Sequence, residues 1–451
     1  LIPRADRRFM STLQAGTCSR PEGRGASSAG VELQATLRLG ADRGAALVVA
    51  LFAVIIATGL AVAYAAIVGS QVGTAGTVLE RTQALYNAKS GLSHARVLLM
   101  GDDPTIDSLE EEWATLIQQP VELDDGQAQV LILDLSSRLN VNAATKDMFL
   151  RLPGATEEIA DAIIDWRDSD SELLPLGAES DYYLTLDPPY EAKNMPFDSL
   201  DELMLVRGVT RQIFYGDEQA GQPAWRDLLS TSSSEPPLDA EGNERIAIGG
   251  GGQTNQSQGF QSFRSRFSGT FTSEEMQRIQ DRWPFQSLSA FLSVAGVPGN
   301  KLLPVLDQVY VQSSPTSAPV KVNVNTAGAD VIAFLPGMTE EKAQAIVQAR
   351  GGEQGAFRTK RDLLRVLEPE DFRAVVDFVA TKSSYFLILS QGTAGDQSRA
   401  VRTLMAMVRR ESGKTSIEYC RELVGPRDMP QDFALAVQAG APTIIGAPTR
   451  G

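Results

Sequence analysis

Four acids in one short stretch offer the clearest prospect of chemistry in this chain. Residues 165–183 read DWRDSDSELLPLGAESDYY, where Asp168, Asp170, Glu179 and Asp181 supply hard oxygen ligands. Gly177 permits a tight turn between the two pairs. A calcium ion takes roughly six to eight oxygens, main-chain carbonyls included, so the set is a candidate calcium site. Residue types alone leave that reading level with a solvated acidic loop. Other reactive groups are scarce. His94 is the single histidine, too few for a Ser-His-Asp triad or a His-rich zinc site, and it reads as a surface residue on a helix. Cys18 and Cys420 stand near opposite ends, which leaves the body between them without an internal disulfide. Gly249 to Gly252 lack a following Gly-Lys-Ser/Thr, and before Gly413-Lys414-Thr415 a valine, Val408, stands where a phosphate loop needs its first glycine.

The acidic loop follows one copy of an internal repeat. LNVNAATKDMFLRLPGATEEIADAIIDWR (139–167) and VNVNTAGADVIAFLPGMTEEKAQAIVQAR (322–350) align at a constant offset of 183, sharing Asn140/Asn323, Asn142/Asn325 and Leu-Pro-Gly-x-Thr-Glu-Glu. A shorter pair, FDSLDELMLVRGV (197–209) and FQSLSAFLSVAGV (285–297), aligns at offset 88. Each long copy predicts helix, Pro-Gly turn, helix, with Thr156 or Thr339 as the second helix's N-cap. This is the helix-hairpin-helix pattern. Such hairpins can aim main-chain amides at a phosphate, helped by a second glycine and nearby basic residues. Here Thr156 or Thr339 replaces that glycine and two glutamates follow, which suit a helix N-terminus but repel phosphate. Arg350, Arg358, Lys360 and Arg361 make the second copy less hostile than the first. The motif predicts a fold and favours a structural use.

The elements that position these residues start at a membrane. Ala45 to Val68 is AALVVALFAVIIATGLAVAYAAIV, and no charged residue occurs between Arg43 and Glu80. At helical rise this run is about 36 Å long, enough for a ~30 Å hydrocarbon core. Residues 1–44 hold seven arginines against four acids, so the positive-inside bias keeps the N-terminus in the cytoplasm. The chain opens on Leu1, and Met10 is an alternative start. The remainder holds 34 basic and 52 acidic residues, a balance that resists non-specific phosphate binding.

The helix is expected to run on from Gly69 to about Met100. QVLILDL (129–135), SSYFLILSQG (383–392), SRAVRTLMAMVRRE (398–411) and TSIEYC then read as strands, with Thr393 to Asp396 as a turn. The class is α+β, with strands bracketing a helical block. Residues 229–261, rich in Ser, Gly and Gln, read as a mobile insertion. The proline-containing tail, 424–451, reads as irregular.

Taken together, Arg43-Gly44 before the apolar helix, LNVNAAT, LPG with DAIIDWRDSD, and GAESDYYLTLDPPYEAKNMPFDSLDELMLVRGVT resemble the K-class minor pseudopilins of bacterial type II secretion, the general secretion pathway protein K family. The likeness covers most of 43–210, and the second hairpin and the SSYF strand match later parts. The long leader, the 229–261 insertion and the tail depart from the pattern.

The resemblance implies a long N-terminal helix packed on an antiparallel pilin-like sheet, enlarged by an inserted helical domain. Its parts would be a basic leader (1–44), a membrane helix (45–68), the soluble helix and first strand (69–136), the helical domain (137–380) and the closing strands (381–423). It implies cleavage between Gly44 and Ala45 by a prepilin peptidase, methylation of the new Ala45 amine, and a filament-core position, Val49, lacking the usual Glu. It further implies an inner-membrane anchor, a periplasmic body at the pseudopilus tip with I-, J- and other pseudopilins, calcium in the helical domain, and no catalysis. Nucleic acid is not an expected partner. The alternative is a membrane-anchored helix-hairpin-helix DNA receptor for competence. A hairpin-containing nuclease ranks third, for want of a nucleophile or metal-histidine set.

Overall fold

The computed structural model describes residues 43–217, 221–249, 253–311, 320–395, 400–411 and 413–424. Residues 1–42 of the leader, the tail beyond Val424 and Asp396 of the expected turn lie outside the described residues. Two units are distinguished, residues 1–72 and 73–451.

Helix α1, Arg43–Gly101, contributes to both. In the first unit its side chains from Ala46 to Ile67 are all exposed: Leu47 is 72% and Phe52 59% accessible. That length of uncharged, uncovered helix can cross a membrane. Gly44, Ala45 and Val49 all lie within it.

In the second unit α1 becomes amphipathic. Ala84, Ala88, Leu92, Ala95 and Leu99 are buried at spacings of three and four, one face of a helix. Two short strands follow, β1 (Val121–Leu123) and β2 (Gly126–Asp134). The chain then builds three related units before returning to the sheet.

The first opens on β3 (Leu139–Asn140), carries helix α2 (Glu157–Arg167) and closes on β4 (Leu229–Ser230), which pairs with β3 in parallel. The second runs from β5 (Ile246–Gly249) through α3 (Gln253–Arg266) and α4 (Ser273–Asp281) to β6 (Val309–Val311), again parallel. The third runs from β7 (Val322–Asn323) through α5 (Glu340–Arg350) to β8 (Val379–Ala380), parallel once more. One continuous hydrophobic core joins the three.

Strands β9 (Tyr385–Ala394), β10 (Ala400–Glu411) and β11 (Lys414–Leu423) complete an antiparallel sheet of order β1-β2-β9-β10-β11. The helical block is thus inserted between two hydrogen-bonded neighbours, β2 and β9. Alternation along the strands gives the sheet two faces. Val130, Ile132, Phe386, Ile388, Ala406 and Val408 meet Leu92, Ala95 and Leu99 of α1 on one face. Fully burying Leu92 and Leu99 contributes roughly 1.5–3 kcal/mol each. Two glycines set the distance. A Cβ on Gly392 would sit 2.1 Å from the carbonyl oxygen of Ala84, and one on Gly91 2.4 Å from Ser390 Oγ. Asn87 Nδ2 then donates to Thr393 O at 2.8 Å, and Ser390 Oγ to Ala88 O at 2.8 Å.

The helical block is tied to the sheet by polar bonds. Asn323 Nδ2 and Thr326 Oγ1 donate to Asp134 at 2.9 and 2.6 Å. Asn323 Nδ2 also donates to the main-chain oxygen of Asp107 at 3.1 Å, and Asp107 is itself held to the sheet by Arg410 Nη2, which donates to both its carboxylate oxygens at 2.8 and 2.6 Å.

The expected mobile insertion is a correction. Leu229, Ile246, Ile248 and Phe260 belong to the core, and 229–230 and 246–249 are strands. Its few apolar residues are enough because Phe260 shares one buried helical face with Phe263 and Phe267, just beyond the segment. The paired segments 197–209 and 285–297 are equivalent, each opening with a serine cap, Ser199 or Ser287. The strand expected from Gln129 is β2 and begins three residues earlier, at Gly126, and β11 extends three residues past TSIEYC.

Candidate cation site and the two hairpins

Helix α2 delivers the acidic loop. Thr156 caps its start, Oγ1 accepting from Ile159 N at 3.3 Å, and Asp168 stands at its C-terminal cap. Two buried acids on α2 then fasten the loop to the helix. Asp165 accepts from Leu174 N at 3.3 Å, and Asp161 accepts from Leu176 N at 3.3 Å while pairing with Lys146 at 2.7 Å. Gly177 serves this fastening rather than a left-handed turn. A Cβ there would fall 1.9 Å from Asp165 Oδ2, so only glycine lets the carboxylate approach. Arg207 Nη1 holds the Gly177 carbonyl at 3.1 Å.

This folding brings carboxylate oxygens of Asp168, Asp170 and Glu179 within 4.8 Å of one another. Burial, then Asp170 and Asp165, pushes the Asp168 carboxyl up to about 6. Burial, then Asp165 and Asp168, raises Glu179 as well. Both oxygens of Glu179, which is 7% exposed, lack a hydrogen-bond partner among the described residues, as does Asp168 Oδ1. Three converging carboxylates, two of which keep buried oxygens without a hydrogen-bond partner among the described residues, fit a cation.

The sequence reading is corrected at two points. Asp181 is exposed on the short helix Ser180–Tyr183 and stands outside the cluster. Asn194 was missed. It adopts φ 48°, its Nδ2 donates to Asp170 O at 2.7 Å, and its Oδ1 lacks a partner among the described residues. The set of carboxylate and amide oxygens, with no sulfur or imidazole, suits calcium over zinc. His94 is exposed on α1, outside any such group.

The hairpins face inward. Gly154 and Gly337 hold φ of +74° and +75°, the left-handed turn that the repeat requires. Over the first turn, Trp225 Nε1 donates to Pro153 O at 2.8 Å. The second turn is occupied by the first copy itself: Arg151 Nη1 donates to Ala333 O, Leu335 O and Met338 O at 3.0, 3.2 and 3.0 Å. A guanidinium on these carbonyls binds the two hairpins to each other. Their use here is structural.

Comparison with known proteins places these features. Residues 121–215 match the family model described as Type II secretion system (T2SS), protein K, and residues 317–379 match the helix-hairpin-helix motif. Over part of its length the chain is similar to type II secretion system protein K. It is 30% identical over 155 residues to that protein from Aeromonas hydrophila, covering 28% of this chain and 46% of the relative. It is 35% identical over 120 residues to protein K of Pseudomonas aeruginosa, covering 23% and 36%. The chain thus spans less than half the length of the curated relatives it matches. A solved chain of the GspK-GspI-GspJ complex of the enterotoxigenic Escherichia coli type 2 secretion system is 14% identical with a TM-score of 0.42, over 79% of this chain and 99% of that one.

Proposed function

We propose that this chain is a minor pseudopilin that caps the pseudopilus of a type II secretion system. In this reading it joins I- and J-class minor pseudopilins and helps initiate assembly for protein export. The observation that carries it is one of layout. An uncovered apolar helix runs into the sheet-packed part of α1, and between β2 and β9 sits a helical block whose 121–215 part matches protein K.

A prepilin peptidase would cut between Gly44 and Ala45 and methylate Ala45 in the cytoplasm, where the arginine-rich leader holds the N-terminus. Val49 then occupies the position where a neighbour would otherwise find a Glu. An uncompensated carboxylate is costly in an apolar filament core, and a subunit that caps the tip does not need one. The body lies in the periplasm. Calcium, held by Asp168, Asp170, Glu179 and the Asn194 side-chain oxygen, would neutralise the acidic loop and fix it against α2. The role is one of assembly, with this chain a substrate of the peptidase rather than a catalyst.

The test is co-expression of the full chain with the I- and J-class pseudopilins of its own organism, followed by purification on a tag carried by the J-class partner. A stable ternary complex is expected. Failure to co-purify, with salt-dependent DNA binding instead, would overturn the proposal in favour of a DNA receptor.

A further inference from the structure

The sheet face turned away from α1 is incompletely covered. Register places Leu387, Met407 and Tyr419 side by side across β9, β10 and β11. Between Leu387, Met405, Met407 and Tyr419 on the sheet and Leu200 and Phe214 of the first helical unit lies a cleft of about 130 Å³. A cavity of about 150 Å³ accepts a benzene ring, so this cleft takes one large apolar side chain.

One charge on its wall is left over. Three aspartates line the cleft and each has a cation: Asp198 pairs with Lys193 at 2.7 Å, Asp201 with Arg421 at 2.9 Å and Asp227 with Arg226 at 3.9 Å. Arg138 lines it too, yet forms no ion pair among the described residues. It is only 7% exposed, and its one hydrogen bond there runs from Nη1 to the main-chain carbonyl of Arg226 at 3.2 Å. Arg421 Nε is likewise buried without a hydrogen-bond partner among the described residues. A guanidinium held out of water without an anion is costly. A carboxylate meets its planar fork with two parallel hydrogen bonds.

We propose that this cleft binds the carboxyl end of a partner polypeptide whose last residue is large and apolar. The last side chain fills the space over Met405 and Met407, and the terminal carboxylate takes the uncommitted donors of Arg138. Both demands come from one small cleft. An Asp or Glu side chain would bring the charge without the apolar group, and an internal Phe or Leu the apolar group without the charge. A C-terminal residue carries the two on a single Cα. The paired aspartates on the same wall repel a second carboxylate, which confines the negative charge of the partner to its end.

The test uses the full chain in detergent with carbon-13-labelled methionine methyl groups, titrated with acetyl-Ala-Ala-Phe. Saturable shifts of the Met405 and Met407 methyl signals are expected. The same peptide with its C-terminus amidated should bind about tenfold more weakly, the loss of one charge-assisted pair, as should a peptide ending in Gly. These comparisons need no variant, so they stand whether or not a substitution disturbs folding. Met407→Trp, which fills the cleft, should abolish the Met405 shift, and Arg138→Lys should bring the free acid close to the amide. No saturable shift, or equal binding of acid and amide, would overturn the proposal. Equal binding of 3-phenylpropionate would overturn it in favour of a free small carboxylate.

Discussion

The first and third helical units share a frame and differ in one loop. In both, an asparagine two residues past the opening strand staples a distant phenylalanine. Asn142 accepts from Phe197 N and donates to Phe197 O and Thr231 O; Asn325 does the same with Phe357 N, Phe357 O and Thr381 O. An arginine ending the second helix, Arg167 or Arg350, donates to paired carbonyls, Val141 and Ala144 or Val324 and Ala327. Yet 29 residues (168–196) separate Arg167 from Phe197, where six (351–356) separate Arg350 from Phe357. The asparagine staple fixes both ends of that connection, so its length is free to vary at little cost in loop entropy. The long version holds Asp168, Asp170, Glu179 and Asn194; the short one holds none of their counterparts. The carboxylate cluster thus occurs in one copy of the duplicated scaffold only.

The staple is the comparison's most exposed point. Asn325 is 1% exposed, and Asn325→Ala strands three main-chain groups in the interior, which should destabilise the body by about 3 kcal/mol. Asn142→Ala, at a half-buried position, should lower stability by about 2 kcal/mol. Urea unfolding checks both, and a neutral result at either would break the equivalence of the two units.

Calcium sharpens the difference between them. At a hundredfold excess over its dissociation constant it should stabilise the protein by about 2.7 kcal/mol. Thermal melts should lose that gain in Glu179→Gln and in Asn194→Ala, and keep it in Asp181→Asn. Loss in Asp181→Asn would restore the sequence-based ligand set.

A smaller effect lies just past the third unit, where Lys382 takes the place that Ser232 holds after the first. Its ammonium is fully buried without a hydrogen-bond partner among the described residues, and burial pushes it down to about 8. The folded state therefore binds fewer protons than the unfolded between pH 8 and 10.5, and stability should rise with pH across that window. Below pH 8 the full cost is present, so Lys382→Met should stabilise the body there by about 1 kcal/mol. The gain should vanish near pH 11. A variant less stable than the parent at pH 7 would contradict this.

Much of this was legible in the sequence. Charge-free length marked the apolar helix, and the offset of 183 marked the hairpins with their threonine caps. The acidic loop stood out because three of its ligand candidates are acids close together. Asn194 did not, since it is an uncharged residue 15 positions beyond Glu179 that folds back through a left-handed backbone. The middle unit was missed because it lacks the Leu-Pro-Gly signature and the stapling asparagine. There Phe285 N donates to the main-chain carbonyl of Ile248 at 2.8 Å instead, a bond that leaves no mark on residue types.

The central claim is that the chain is processed and assembled as a pseudopilin. Intact mass of the protein from cells with and without an active prepilin peptidase tests it most directly. The account predicts a mature form beginning at methylated Ala45, seen only when the peptidase is active. An uncut chain under both conditions would contradict it.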